Sequence, residues 1–154
     1  MTTDSQKTPL LRADFAYWAR IETRWSDNDI YGHVNNVAYY SYFDTVVNGF
    51  AISRGELDIH SGTAIGIVVE SGCRYHASLS FPQSIDAGLR VDRIGRSSIR
   101  YVVGLFELEA NAAAADGHFV HVMVDRNTRR PTDIPAPLRR ALGQITGAAE
   151  TIQS

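Results

Sequence analysis

Between Val37 and Phe50 the only polar side chains are Ser41, Asp44, Thr45 and Asn48. They fall at i, i+3, i+4 and i+7, a single narrow stripe on a helix of 3.6 residues per turn. Val37, Ala38, Tyr39, Tyr40, Tyr42, Phe43, Val46, Val47 and Phe50 take up the rest of the circumference. A surface helix shows the reverse proportion, so this one must be wrapped on most sides by other elements. In a chain of 154 residues that wrapping has to come from one domain. Arg54-Gly55 marks the expected end of the helix.

The flanking sequence supplies strands. From Phe15 to Trp25 the odd positions (Phe15, Tyr17, Ala19, Ile21) are apolar and the even ones include Arg20, Glu22 and Arg24, the alternation of a half-buried strand. After the helix, four stretches have strand character: Ala64 to Tyr75, Ile85 to Val91, Ile99 to Leu108 and Phe119 to Val124. Gly95-Arg96-Ser97 predicts a tight turn, and Ala112 to Gly117 a looser one. Pro131, Pro135 and Pro137 precede a short amphipathic helix near Leu138 to Ile145. Strands joined by short turns run antiparallel. The expected fold class is therefore α+β, one curved antiparallel sheet of about five strands around a long central helix. A doubly wound sheet would need helices between the later strands, and the pattern has none. The domain is expected over 13–146, with a frayed start over 1–12 and a small, polar tail over 147–154.

Composition narrows the function classes. Hydrophobic residues make up 44% and charged residues 21%, the balance of a globular chain. No apolar run reaches the roughly 18 residues of a membrane span, and the first dozen residues lack the apolar stretch of a secretory signal. Cys73 is the sole cysteine, which excludes an internal disulfide and a multi-cysteine zinc site. A cytoplasmic location is expected. The net charge of −2, without a dense block of Lys or Arg, argues against a nucleic-acid partner. Basic residues are lopsided, fourteen Arg against Lys7 alone, which fits either codon bias or a grip on phosphate.

Chemistry concentrates in Trp25-Ser26-Asp27-Asn28-Asp29-Ile30-Tyr31-Gly32-His33-Val34-Asn35-Asn36, directly ahead of the buried helix. Part of it is turn-forming, and Asn35 or Asn36 suits the helix N-cap. An EF-hand loop starting at Asp27 fails, because position five is Tyr31 and position twelve is Ala38 in place of a bidentate Glu. A zinc site on Asp29 and His33 lacks a third ligand nearby, so no metal and no cofactor is expected. A carboxylate at a helix start can attack a carbonyl or deprotonate water, with free N–H groups stabilising the oxyanion. There is no G-x-S-x-G elbow. One carboxylate plus helix donors suits a thioester, whose thiolate leaves easily, better than an amide.

The segment Asp27 to Phe43, with its D-x-D-x-x-G-H-V-N-N run, resembles the hotdog-fold acyl-CoA thioesterases, most closely the 4-hydroxybenzoyl-CoA thioesterase-like group. The likeness continues through Arg74-Tyr75, Ile94 to Ser98 and Val124-Asp125-Arg126. It implies a hotdog fold, a homodimer or homotetramer with shared sites, and an acyl-CoA substrate. By position it places the catalytic carboxylate on Asp29, as nucleophile or general base, with His33 and Asn36 as polar residues orienting substrate or water. Asp27 becomes a structural turn residue, and Tyr31 stands where related carrier-protein thioesterases have an assisting Asn. Arg93, Arg96, Ser97 and Ser98 are the candidates for the CoA phosphates. Glu70 is either a solvated strand residue or a second carboxylate reaching a neighbouring subunit. His76, His118 and His121 are expected to be structural. The function implied is acyl-CoA hydrolysis; the alternatives are an enoyl-thioester hydratase of the same fold and a non-catalytic acyl-CoA binding domain.

Overall fold

The computed structural model describes residues 8–146. In chain order the elements are β1 (Tyr17–Glu22), α1 (Asn36–Ser53), β2 (Ala64–Tyr75), β3 (Ser84–Ile94), β4 (Ser98–Glu107), β5 (Ala115–Asp125) and α2 (Ala136–Gly143). Single 3-10 turns lie at Arg12–Asp14 and Trp25–Asp27. The five strands form one sheet in the order β1-β3-β4-β5-β2, antiparallel throughout. The expected α+β architecture is the one observed.

The strand order explains the helix. β1 and β2 are consecutive in sequence but form opposite edges of the sheet, so α1 must carry the chain across the whole concave face. Its apolar circumference meets the inward rows of the strands there. Phe43 and Val47 are fully buried, and Val46 and Phe50 nearly so, against Ile85, Leu89, Tyr101, Val103 and Phe119. Ser41, Asp44 and Thr45 stay exposed and Asn48 half-buried, the narrow stripe that the spacing predicts. Successive strand residues face opposite ways, so Arg90, Arg100 and Val102 line the outer face. A second small cluster of Phe15, Val102, Phe106 and Ala113 covers part of that side.

Two expectations are corrected. Asp116-Gly117 is strand, not turn: β5 starts at Ala115 and pairs with β4 and β2 from its first residues. Asp116 is fully buried, and its carboxylate accepts from Arg74 (2.9 Å), His76 Nε2 (3.0 Å) and the Leu10 N–H (2.9 Å). The same contacts pin the end of the segment expected to be frayed, where the Leu10 carbonyl also accepts the Ala113 N–H. The remainder of the expected frayed start, 1–7, and the tail 147–154 lie outside the described residues. Among the described residues no helix is long and apolar enough to cross a membrane.

Gly117 is in the strand because nothing larger fits. A Cβ there would stand 2.0 Å from the Gly72 carbonyl oxygen and 2.7 Å from the Phe43 ring. Gly117→Ala is therefore expected to force the β2–β5 ladder apart and to cost about 1–3 kcal/mol. Thermal denaturation reads this as a lower Tm; an unchanged Tm would refute the close approach.

Candidate active site

Residues 27–35 form a pinched loop whose ends are tied before the helix begins. The Asp29 N–H donates to the His33 carbonyl (2.8 Å), the Gly32 N–H to the Asp29 carbonyl (3.1 Å) and the Asn35 N–H to the Asp27 carbonyl (2.8 Å). Gly32 has φ +81°, the left-handed conformation that the reversal requires and that glycine adopts without steric cost. The loop is also tied to the β2–β3 link: the Val34 N–H donates to the Leu79 carbonyl (2.7 Å) and Asn28 Oδ1 accepts the Phe81 N–H (3.0 Å).

The two acids of the run have different surroundings. Asp27 is 3% exposed, and its carboxylate takes four hydrogen bonds: Tyr42 Oη at 2.6 Å, the Arg24 N–H at 2.8 Å and the Arg24 guanidinium at 2.9 and 3.2 Å. Burial opposes its charge, but the donors from Tyr42 and Arg24 outweigh that and hold its pKa below the usual carboxylate value. Asp29 is half-buried, and only one of its oxygens is engaged, accepting the Tyr31 N–H (2.8 Å) and more loosely the His33 N–H (3.4 Å). Its Oδ2 has no partner among the described residues.

The helix start is more fully capped than its sequence suggests. Asn35, not Asn36, is the N-cap: its side chain accepts the Val37 N–H (3.0 Å) and its carbonyl the Ala38 N–H (2.9 Å). The row of free donors expected there narrows to the N–H of Asn36, which has no partner among the described residues. Asp29, His33 and Asn36 do come together. They line a cavity of about 320 Å³ with Val34, Tyr39, Tyr75 and the 76–78 segment. A second hollow of about 550 Å³ is lined by Trp25, Ser26, Asn28, Ile30 and Gly32, and Asp29 lines that one too. Trp25, Ile30, Tyr31 and Val37, each at least 75% exposed, rim the site with apolar surface. Tyr39, Tyr75 and Ser78 join it from separate elements; Tyr39 and Tyr75 lie in stretches that carry the family likeness, but no spacing in the sequence brings the three together.

The proposed phosphate ligands do not join this group within one chain. Arg93, Arg96, Ser97 and Ser98 sit at the β3–β4 turn, whereas the Asp29 loop packs beside the start of β3. The 11 residues of β3 span about 35 Å. At the turn, Arg96 pairs with Asp133 (2.6 Å) and Arg93 stands opposite Arg100. The Ser97 and Ser98 hydroxyls have no partner among the described residues.

Other chemistry-bearing side chains are engaged elsewhere. Glu70 bonds His118 Nε2 (2.8 Å) and Arg100 (3.5 Å) on the outer face. A hollow of about 650 Å³ lies on that face, but its cations are already paired, Arg74 with Asp116 and Arg90 with Asp92 (3.4 Å). His121 is buried with Nε2 unbonded, and burial lowers its pKa and keeps it neutral. Burial pushes the Cys73 thiol up to about 11, which leaves it inert near neutral pH. Among the described residues no three His, Cys, Asp or Glu are grouped to hold a metal.

The family model of the thioesterase-like superfamily matches residues 23–142, and the chain belongs to that superfamily. The crystal structure of the PA5185 protein of Pseudomonas aeruginosa strain PAO1 is 51% identical over 91% of this chain and 97% of its own, with a TM-score of 0.89. PA2801 of Pseudomonas aeruginosa, described as a candidate thioesterase, is 29% identical over 83% of this chain and 98% of its own (TM-score 0.77). Slr0204 of Synechocystis, a 1,4-dihydroxy-2-naphthoyl-CoA thioesterase, shares the fold at 14% identity over 82% of this chain and 95% of its own (TM-score 0.74). No curated protein matches the chain. The resemblance read in Asp27 to Phe43 thus holds for family and fold.

The depressed pKa of Asp27 has a consequence for acid stability. A carboxylate whose folded pKa is lowered adds stability that is complete above its unfolded value of about 3.9 and is lost as pH falls through the folded value. The gap in unfolding free energy between wild type and Asp27→Asn, measured by urea titration, should be level above about pH 5 and shrink below about pH 4. A gap that stays level down to about pH 3 would contradict the assignment.

Proposed function

We propose that the protein hydrolyses an acyl-CoA thioester, with Asp29 as nucleophile or general base. The observation that carries this reading is that Asp29, one of whose carboxylate oxygens is unengaged, and Asn36, whose N–H is free, line the same cavity. A thioester carbonyl lodged between them meets an attacking carboxylate, or the water it deprotonates, on its carbon. The Asn36 N–H then donates to the oxygen on which negative charge builds. Collapse of the tetrahedral intermediate expels the CoA thiolate, which needs no strong acid to leave. With Asp29 as nucleophile, water then opens the acyl–Asp29 anhydride to the free acid, and with Asp29 as base its proton passes to the thiolate or solvent. His33 and Asn36 orient the substrate or the water. Asp29 lines both the cavity and the hollow beside Trp25 and Ile30, which suits a substrate whose acyl group and pantetheine arm occupy one each. The hydratase alternative needs an Asp–His pair acting on one water, whereas His33 meets Asp29 through its own main-chain N–H and carbonyl and not through its imidazole.

Asp29→Asn is expected to lower kcat for thiol release by about a hundredfold or more with Tm unchanged. A chromogenic thiol assay over short, long and aryl acyl-CoAs measures this, with hydration of a trans-2-enoyl-CoA as the control. Near-wild-type turnover in the variant would remove Asp29 from the reaction.

The working unit in this reading is a homodimer or a dimer of dimers. If Arg93, Arg96, Ser97 and Ser98 hold the CoA phosphates, they serve the site of another copy, because their own Asp29 lies at the far end of the sheet. β2 is an unpaired edge that leaves Ile67, Val68 and Val69 between 39% and 56% exposed, a surface that invites pairing with another strand. The full chain is expected to sediment at a multiple of 17.0 kDa. Val69→Lys should shift it toward monomer and abolish turnover together; an active monomer would refute the shared site.

A further inference from the structure

Besides the Asn35 cap, two hydrogen bonds of Asp27 tie the loop carrying Asp29 to α1. The Asp27 carbonyl accepts the Asn35 N–H at the helix start (2.8 Å). Its carboxylate accepts the Tyr42 hydroxyl, nearly two turns further along the helix, at 2.6 Å. The bonds of Val34 to Leu79 and of Asn28 to Phe81 hold the loop to the β2–β3 link, and the Tyr42 bond holds its base to the body of the helix. Two attachments on one residue, separated along the helix axis, fix the angle as well as the distance.

From this arrangement we infer that Tyr42 is a positioning residue for the reaction, its phenol acting through Asp27 to hold Asp29 in register with the free Asn36 N–H. The inference rests on the hydrolytic reading above. Several features mark the Tyr42 hydroxyl as more than a buried group finding a partner. Tyr42 is 4% exposed and its ring already belongs to the core, so a phenylalanine would fill the same space. A hydroxyl on an ionised carboxylate at 2.6 Å is a charge-assisted bond, shorter and stronger than a neutral one. Asp27 lies two residues from Asp29 on a loop already closed by main-chain bonds, so a shift of Asp27 moves Asp29 with it. A displacement on the order of 1 Å between reacting groups is enough to cost about a hundredfold in rate.

Tyr42→Phe tests this. The expected result is a kcat lowered about tenfold to a hundredfold with KM within about twofold of wild type, because the substrate's hollows keep their lining. In the Asp29→Asn background the same substitution should leave the residual rate unchanged, because its effect passes through Asp29. Backbone amide exchange over 28–35 should quicken at least about tenfold, while that of α1 from Phe43 onward stays as in wild type. Wild-type kcat in Tyr42→Phe, a loss confined to KM, or an equal loss in the Asp29→Asn background would each overturn the role. If the wild-type protein releases no thiol from any acyl-CoA, the hydrolytic reading fails. The positioning role is then decided by exchange alone: unchanged exchange in the loop overturns it, and selective quickening supports it.

Discussion

The structure depends on the burial of α1 in the concave face of the sheet. Each fully buried Phe or Val contributes about 1.5–3 kcal/mol relative to exposure, and α1 supplies Phe43, Val46, Val47 and Phe50 along one helix. Because β1 and β2 are opposite edges, the helix has to cross the whole sheet, about 27 Å for its 18 residues. That crossing determines where α1 begins. Its first turn lies beside the end of β2 and the link to β3, so the loop entering the helix becomes one wall of a cavity. The location of the candidate site is thus a consequence of core packing.

Within that loop, two acids separated by one residue are assigned different tasks by their environments. Asp27 is buried and saturated with donors, so it is held ionised and fixed, and it fixes the loop in turn. Asp29 is bonded through a single oxygen and keeps the other for a reacting partner. A carboxylate with four donors would be a poor nucleophile, and an unheld one would be poorly oriented. The pinch at Asp29 and His33 lies between these extremes. Capping by Asn35 works similarly, engaging the helix N–H groups that order the first turn and leaving that of Asn36.

The outer face shows how far a cluster of charges falls short of a site. Arg74, Arg90 and Arg100 line the hollow of about 650 Å³, yet each has a carboxylate partner, and Asp116 anchors Arg74, His76 and the Leu10 N–H together. These pairs secure the edge strand and the start of β5. The inner face differs: the stripe of Ser41, Asp44 and Thr45 and the β2 edge are left uncovered within one chain.

Local pattern was enough for the buried helix, the strand before it, the Gly95–Ser97 turn and the acids of the D-x-D run, because helix and strand periods and turn residues are properties of neighbours in sequence. Asp116-Gly117 misled for the same reason. The pair is turn chemistry by itself, and only the Gly72 carbonyl and the Phe43 ring, more than forty residues away, require a strand with no side chain there. The choice of Asn35 over Asn36 as cap, the donors that saturate Asp27 and the entry of Tyr39 and Tyr75 into the cavity depend on how α1 is rotated against the sheet. The sequence by itself determined that a long helix would be enclosed by an antiparallel sheet, with a carboxylate-rich loop at its start. The family likeness pointed to Asp29 over Asp27; only the tertiary structure decided which donors engage each carboxylate and which residues surround Asp29, because that depends on distances between groups that the chain brings together by crossing the sheet.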